Sequence, residues 1–205
     1  MTEKTLAGVD VSRETLDQLQ QFAALLGKWT RRINLVAPAT LPDLWDRHIV
    51  DSAQLFALAP ASARNWVDLG SGGGLPGMVC AILAREGLPG CRFTLIESDT
   101  RKAAFLMTAA RDLDLAVTVL PRRAEDVPPL QADIVSARAL APLDRLVPLV
   151  VRHLAQDGVA LLPKGRNHAQ ELAAAQQEWQ FEHTSQPSLT DPLARLLLIR
   201  EIRRA

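Results

Sequence analysis

Between Ser12 and Thr30 apolar residues return every three or four positions, at Leu16, Leu19, Phe22, Ala23, Leu26 and Trp29. That spacing predicts an amphipathic helix with Ser12 as its N-cap, ending near Thr30 and followed by Arg31 and Arg32. A second helix is expected from Pro42 to Ala59, with Trp45, Ile49, Ala53 and Phe56 on one face. Beyond it the period changes. Asn65 to Leu69 reads as a short apolar strand, Met78 to Arg85 as a helix-compatible run, Arg92 to Glu97 as a buried strand, and Asp99 to Asp112 as a helix with Ala103, Leu106 and Ala110 inward. Val117 to Leu120, Asp133 to Ala137 and Val159 to Pro163 are further strands, the last two separated by a helix from Pro142 to Leu154. Strands alternating with helices imply a parallel sheet covered on its faces. Asn167 to Glu178 adds a helix, and Trp179 to His183 and Leu193 to Ile202 two closing strands, the last antiparallel after the turn between Pro187 and Pro192. The fold class expected is α/β and Rossmann-like, a mostly parallel sheet flanked by helices. Residues 1–60 form an N-terminal helical extension packed on a core of residues 61–205, the whole being one folded unit.

The stretch that organises this pattern is Trp66 to Gly77, where the first core strand runs into five glycines within eight residues, Gly70 to Gly77. Glycines here let a ligand approach the backbone, and the amides opening the next helix can receive a polar or anionic group. Two alignments of the glycines compete. Gly72, Gly74 and Gly77 satisfy the three-glycine dinucleotide pattern. Starting earlier, Asp68, Gly70, Gly72 and Gly74 give Asp-x-Gly-x-Gly-x-Gly, which resembles the first motif of S-adenosylmethionine-dependent methyltransferases. Asp68 at the strand end suits the positive methionyl end of that cofactor.

Composition narrows the classes. No window approaches the ~18 apolar residues of a membrane span, and Met1 to Asp10 shows no signal-peptide core, so a cytoplasmic protein without membrane partners is expected. Cys80 and Cys91 are the only cysteines, too few for a disulfide framework and without metal-ligand spacing, so they are expected as buried thiols and no metal is expected. Lysine and arginine number 23 and so do aspartate and glutamate. That balance argues against non-specific coating of nucleic acid but leaves room for local basic clusters. Arg31, Arg32, Arg122, Arg123, Lys164 and Arg166 are the basic residues expected to flank the site. Tyrosine is absent, which removes the tyrosine–lysine pair of short-chain dehydrogenases.

Other residues fall at strand ends, where such sheets bind ligands. Glu97 closes the second core strand and can accept hydrogen bonds from ribose hydroxyls, or else cap the next helix, for which Asp99 is the better candidate. The segment Arg123-Ala124-Glu125-Asp126 follows the third core strand, where it can bracket an adenine or be a solvated charge run. Arg138 ends the fourth, facing either cofactor and substrate or a salt bridge to a nearby acid. No Asn/Asp-Pro-Pro-aromatic loop follows that strand, and neither cysteine lies on a loop where pyrimidine C5 methylation would need one. Methylation of guanine N7, which carries a lone pair and no proton, requires orientation rather than a general base.

Arg47-His48-Ile49-Val50-Asp51-Ser52, Val67 to Gly77, Ala137 to Leu143 and Pro163-Lys164-Gly165, together with Asn34-Leu35 and Phe105-Leu106, resemble the RsmG family, also called GidB. The likeness runs in order from about residue 12 to 202. It implies a class I S-adenosylmethionine-dependent methyltransferase that modifies N7 of a guanine in the 527 region of 16S ribosomal RNA, with that RNA or the small ribosomal subunit as partner. The family's cofactor contacts fall on Gly70, Leu75, Ala124, Glu125 and Arg138, and Asp68, Gly72 and Glu97 join them from the strand-end reading. Arg138, Lys164 and His48 are the catalytic candidates; His48 can equally be a hydrogen-bonded packing residue. Arg47 and Asp51 match positions without a settled role, and Ala137 stands where the family often has serine. A nicotinamide-dependent oxidoreductase and a non-catalytic RNA-binding or ribosome-assembly protein are the alternatives.

Overall fold

The computed structural model describes residues 4–205. In chain order the elements are strands β1 (Lys4–Leu6) and β2 (Val9–Val11), helix α1 (Arg13–Ile33), helix α2 (Asp51–Phe56), β3 (Asn65–Leu69), α3 (Gly77–Gly87), β4 (Arg92–Ile96), α4 (Thr100–Asp112), β5 (Val117–Leu120), β6 (Ala132–Ala137), α5 (Leu143–His153), β7 (Leu154–Lys164), α6 (His168–Ala175), β8 (Trp179–Pro187) and β9 (Arg195–Arg204). The main sheet has the order β5-β4-β3-β6-β7-β9-β8. Pairings from β5 through β7 are parallel, and β9 is antiparallel to both β7 and β8. The chain leaves β3 first toward β4 and β5 and later returns on its other side with β6. A crevice opens at that switch point, outside the carboxyl ends of β3 and β6.

Alternation along the strands divides the sheet into two faces. Trp66, Phe93, Leu95, Ile134 and Leu161 join one buried cluster with α1, α3 and α4. Val67, Leu69, Val135, Ala137, Ala160 and Leu162 join another with α5. Residues Gly77 to Ala84 of α3 are all buried, as expected of a helix apolar on every side and covered on every side. The N-terminal segment is bound into the first cluster: Phe22 and Trp29 lie against Phe105, and Phe56 stacks on Trp66, which stacks on Phe93 at 5.2 Å.

Ser12 caps α1 as expected, its hydroxyl accepting from the Thr15 N–H at 3.1 Å, but the helix runs on to Ile33. The second helix differs from expectation. Residues Trp45–Val50 form a π-helical turn before α2 begins, and the wider turn changes which side chains share a face. The antiparallel end of the sheet is also longer than its apolar runs predict, because β8 is a mostly exposed edge strand whose polar residues carry no apolar alternation. Cys80 is buried and Cys91 only half-buried; desolvation pushes the Cys80 thiol well up and the Cys91 thiol up to about 11. Among the described residues, no helix is long and apolar enough to cross a membrane, and no group of three or more His, Cys, Asp or Glu is placed to hold a metal ion.

Candidate active site

The glycine turn leaves the end of β3 with Gly70, Gly72 and Gly74 at φ +63°, +55° and +80°. Its underside is held by Asp68, which is fully buried. Position 68 alternates with Val67 and Leu69, so its side chain points to the α3 face, where Oδ2 accepts the Gly77 N–H at 3.3 Å. Oδ1 accepts the Ser136 hydroxyl at 2.6 Å, and Ser136 accepts the Trp66 indole N–H at 2.9 Å. Desolvation raises the Asp68 carboxyl to about 6, against the pull of these bonds. The Asp68 carboxylate, expected to face a cationic ligand, is enclosed here and holds the turn from beneath.

Glu97 is buried as well, 7% exposed. Its carboxylate accepts the Gly72 N–H at 2.7 Å and the Asp99 N–H at 2.8 Å, so it ties the turn to the start of α4. Asp99 caps that helix, accepting from the amides of Arg101 and Lys102. On the open side of the turn the two key glycines differ. A Cβ on Gly70 would lie 2.5 Å from Leu140 Cδ1, whereas at Gly72 the nearest atom is the Gly70 carbonyl oxygen at 3.7 Å. The backbone around Gly72 is thus approachable from outside. Leu75, the next expected contact, is buried at 6% exposure.

Across the crevice, the turn Ala124–Asp126 follows β5 with Ala124 buried and Glu125 exposed. Two side chains at the end of α5 fix it. His153 donates from Nε2 to the Ala124 carbonyl at 2.9 Å, and Arg152 Nε donates to the Val127 carbonyl at 3.0 Å. A shallow cleft lined by Ser98, Asp99, Arg122, Arg123 and Asp126 runs between this turn and the end of β4. Glu97, Ala124 and Glu125 are thereby brought to one side of the switch point.

The other side opens into a cavity of about 600 Å³ beyond β6 and β7. Its wall includes Arg47, His48 and Asp51 from the π turn and α2, Arg138 and Leu140 after β6, and Lys164 at the end of β7. Arg138 donates to Asp51 Oδ2 at 2.9 Å, to the Arg47 carbonyl at 3.3 Å and to His48 Nδ1. The acid that Arg138 finds is thus 87 residues away in sequence. Since His48 Nδ1 accepts from a guanidinium, its proton sits on Nε2, which donates to Thr40 Oγ1 at 2.8 Å; that hydroxyl in turn donates to the Ala37 carbonyl at 2.7 Å. Burial, then Arg138 and Arg47, push the His48 pKa down to about 4. His48 is a neutral hydrogen-bonded partner of Arg138, with no lone pair free to take a proton near neutrality.

Lys164 flanks the cavity as expected of a basic residue there, with its charge met inside the protein. It is 8% exposed, pairs with Glu171 at 2.8 Å and donates to the Ala141 carbonyl at 2.8 Å. Glu171 also accepts the Leu143 N–H at 3.0 Å, so the pair fastens the loop after Arg138 instead of facing phosphates. Arg122 and Arg123 are exposed on the cleft by the Ala124 turn, Arg166 is exposed beside the cavity wall at Gly165, and Arg31 and Arg32 are exposed at the end of α1, outside the cavity lining. Arg47 is exposed and does line it. Sequence reasoning missed Thr40, Gln54, Ser188 and Thr190, polar residues with no local motif. Leu140 was also missed; it touches Gly70 and lines the cavity, linking the two halves of the site.

The fold is that of methyltransferases. An S-adenosylmethionine-dependent O-methyltransferase from Thermotoga maritima superposes with a TM-score of 0.56 at 16% identity, covering 88% of this chain and 72% of that one. Mitomycin 7-O-methyltransferase also gives 0.56, at 18% identity over 94% and 68%. Much nearer in sequence are proteins named ribosomal RNA small subunit methyltransferase G. That of Cereibacter sphaeroides is 49% identical over 202 residues, 98% of either chain, and that of Paramagnetospirillum magneticum 51% identical over 98% and 96%. The family model described as GidB, rRNA small subunit methyltransferase G, matches residues 15–196. With nearly its whole length matched, this chain belongs to the GidB family.

Proposed function

We propose that this protein transfers a methyl group from S-adenosylmethionine to N7 of one guanine in the 527 region of 16S ribosomal RNA. The observation that carries the reading is the pairing of an approachable glycine turn with an arginine-lined cavity through Leu140. It gives a cofactor and a base adjoining places in one crevice. When bound, S-adenosylmethionine supplies an electrophilic methyl on a sulfonium sulfur. The residues proposed to hold it are Gly70, Gly72, Leu75 and Glu97 on one side, Ala124 and Glu125 at the adenine, and Arg138 toward the cavity. Asp68 acts beneath them by shaping the turn. The fit is supported by the open backbone at Gly72 and by turns on both flanks that are braced from within.

The chain's own contribution to the reaction is orientation. Neutral guanine N7 has no proton to remove, so a site without a free base suffices. Arg138, fixed by Asp51 and His48, borders the space for the base, while Lys164 and Glu171 hold its loop. The exposed Arg47, Arg122, Arg123 and Arg166 suit RNA phosphates, and binding should weaken steeply with salt. An RNA substrate of this kind puts the protein's work in the cytoplasm. We also propose that residues 1–60 fold with the core as one unit, which a single cooperative unfolding transition would support.

The nicotinamide-dependent and non-catalytic readings find no support among the relatives. Calorimetry with S-adenosylmethionine, its demethylated product and NAD tests the cofactor: binding of NAD alone would overturn the proposal. Reduction and aniline cleavage break RNA at N7-methylguanine and test the product. One cleavage in the 527 region is expected; methyl incorporation without cleavage, or cleavage at many guanines, means the wrong atom or the wrong substrate.

A further inference from the structure

Five large apolar side chains stand exposed among the described residues: Met107, Leu140, Val151, Leu189 and Leu193. Met107 and Val151 lie on α4 and α5; Leu140 lines the cavity, and Leu189 and Leu193 sit on the turn whose Ser188, Thr190, Asp191 and Ala194 line it. Leu189 and Leu193, 72% and 54% exposed, project from the turn between β8 and β9, which also supplies Ser188, Thr190 and Asp191 to the cavity wall. Single exposed leucines need no explanation, but two on one short turn that borders a binding site do.

The turn is stiff. Ser188 N–H donates to the Ala194 carbonyl, Ala194 N–H to the Asp191 carbonyl, and Leu193 N–H to Asp191 Oδ1, all at 2.9 to 3.1 Å. It is also fastened to α2: Leu189 N–H donates to Gln54 Oε1 at 2.6 Å, and Thr190 Oγ1 to Asp51 Oδ1 at 2.7 Å. Gln54 is 3% exposed and Ser188 8%, so the brace is buried while the leucines it carries are in water. Asp51 is the same carboxylate that holds Arg138. The leucines are thus set at a fixed position relative to the cavity, with exposed Arg47 on its wall to meet a phosphate.

Resting on the RNA reading above, we propose that the Ser188–Ala194 turn is a wedge: Leu189 and Leu193 pack against the bases flanking the target guanine and fill the stack it vacates. Extracting a base leaves a gap whose apolar walls an aliphatic side chain can cover, and enzymes that kink or flip nucleic acid insert such residues. The turn then acts as a positioning element and takes no part in the methyl transfer.

The test compares wild type with Leu189→Ser/Leu193→Ser on unmethylated small subunits, together with S-adenosylmethionine calorimetry. Both positions are exposed, so folding should be unchanged. Burial of a leucine predicts a fall in kcat/KM for the subunit on the order of tenfold per side chain, with cofactor affinity unchanged. A benzophenone-bearing residue at position 189 should cross-link to 16S RNA without any cofactor present. Wild-type kcat/KM in the double variant, weakened cofactor binding, or cross-links only to ribosomal proteins would each overturn the wedge. A wild-type protein that transfers no methyl to the RNA would overturn the proposed function and the wedge with it.

Discussion

The glycine turn and the arginine cavity adjoin at Leu140, yet they are built in opposite ways. The turn is made from residues close in sequence, and its conformation rests on positive φ at Gly70, Gly72 and Gly74. The cavity is made from four distant segments, with Asp51 receiving Arg138 from one side and Thr190 from another. A backbone-built half fails when a side chain is added. A network-built half fails when a side chain is removed.

The largest effect is expected in the first half. Gly70→Val combines φ +63° with a Cβ at 2.5 Å from Leu140, and should reduce cofactor affinity by at least about a hundredfold while the protein stays folded. Gly72→Ala has the strained φ without the collision, so its loss should be smaller unless the ligand itself occupies that face. Calorimetry on both variants decides; equal wild-type affinities would mean the turn does not work by backbone approach.

Removing the carboxylate at the hub breaks the second half. Asp51→Ala leaves a half-buried guanidinium and two hydroxyls without their shared acceptor, and should cost about 2–3 kcal/mol of stability. Asp51→Asn, which retains an acceptor oxygen, should recover part of it. Denaturant unfolding of the two variants measures this, and an unchanged midpoint in Asp51→Ala would show that the network holds nothing.

A subtler contrast comes from pH, because each half contains a buried group shifted the opposite way. Between pH 6.5 and about 4 the unfolded chain binds a proton at His48 that the native site refuses, so stability is lost as pH falls through that window. Between about 6 and 3.8 native Asp68 binds a proton that the unfolded chain does not, so stability is gained as pH falls. The contributions oppose each other and flatten the overall profile. His48→Gln should therefore become progressively more stable relative to wild type as pH falls from 6.5 to 4. Urea melts at several pH values test the sign, and a constant difference would refute it. Near neutrality His48 stays uncharged, so the reaction rate should show no essential group titrating there.

What the sequence alone determined are the features carried by local pattern. Asn65–Leu69 and Val117–Leu120 are strands with the bounds their apolar runs predict, Ser12 and Asp99 cap their helices, and the Gly70–Gly77 stretch turns where a Rossmann-like sheet binds ligands. Periodicity and glycine content are properties of neighbours, so neighbours suffice to read them. Tertiary structure decided the rest. It enclosed Asp68 under the turn through Ser136, on the paired strand. It committed Lys164 to Glu171 and Ala141, and it used a π turn to set His48 and Asp51 against Arg138. Each of these is a hydrogen bond or ion pair that a polar side chain makes in a small buried volume, and a carboxylate's partner in such a volume is chosen by which charges and donors the fold leaves nowhere else to go.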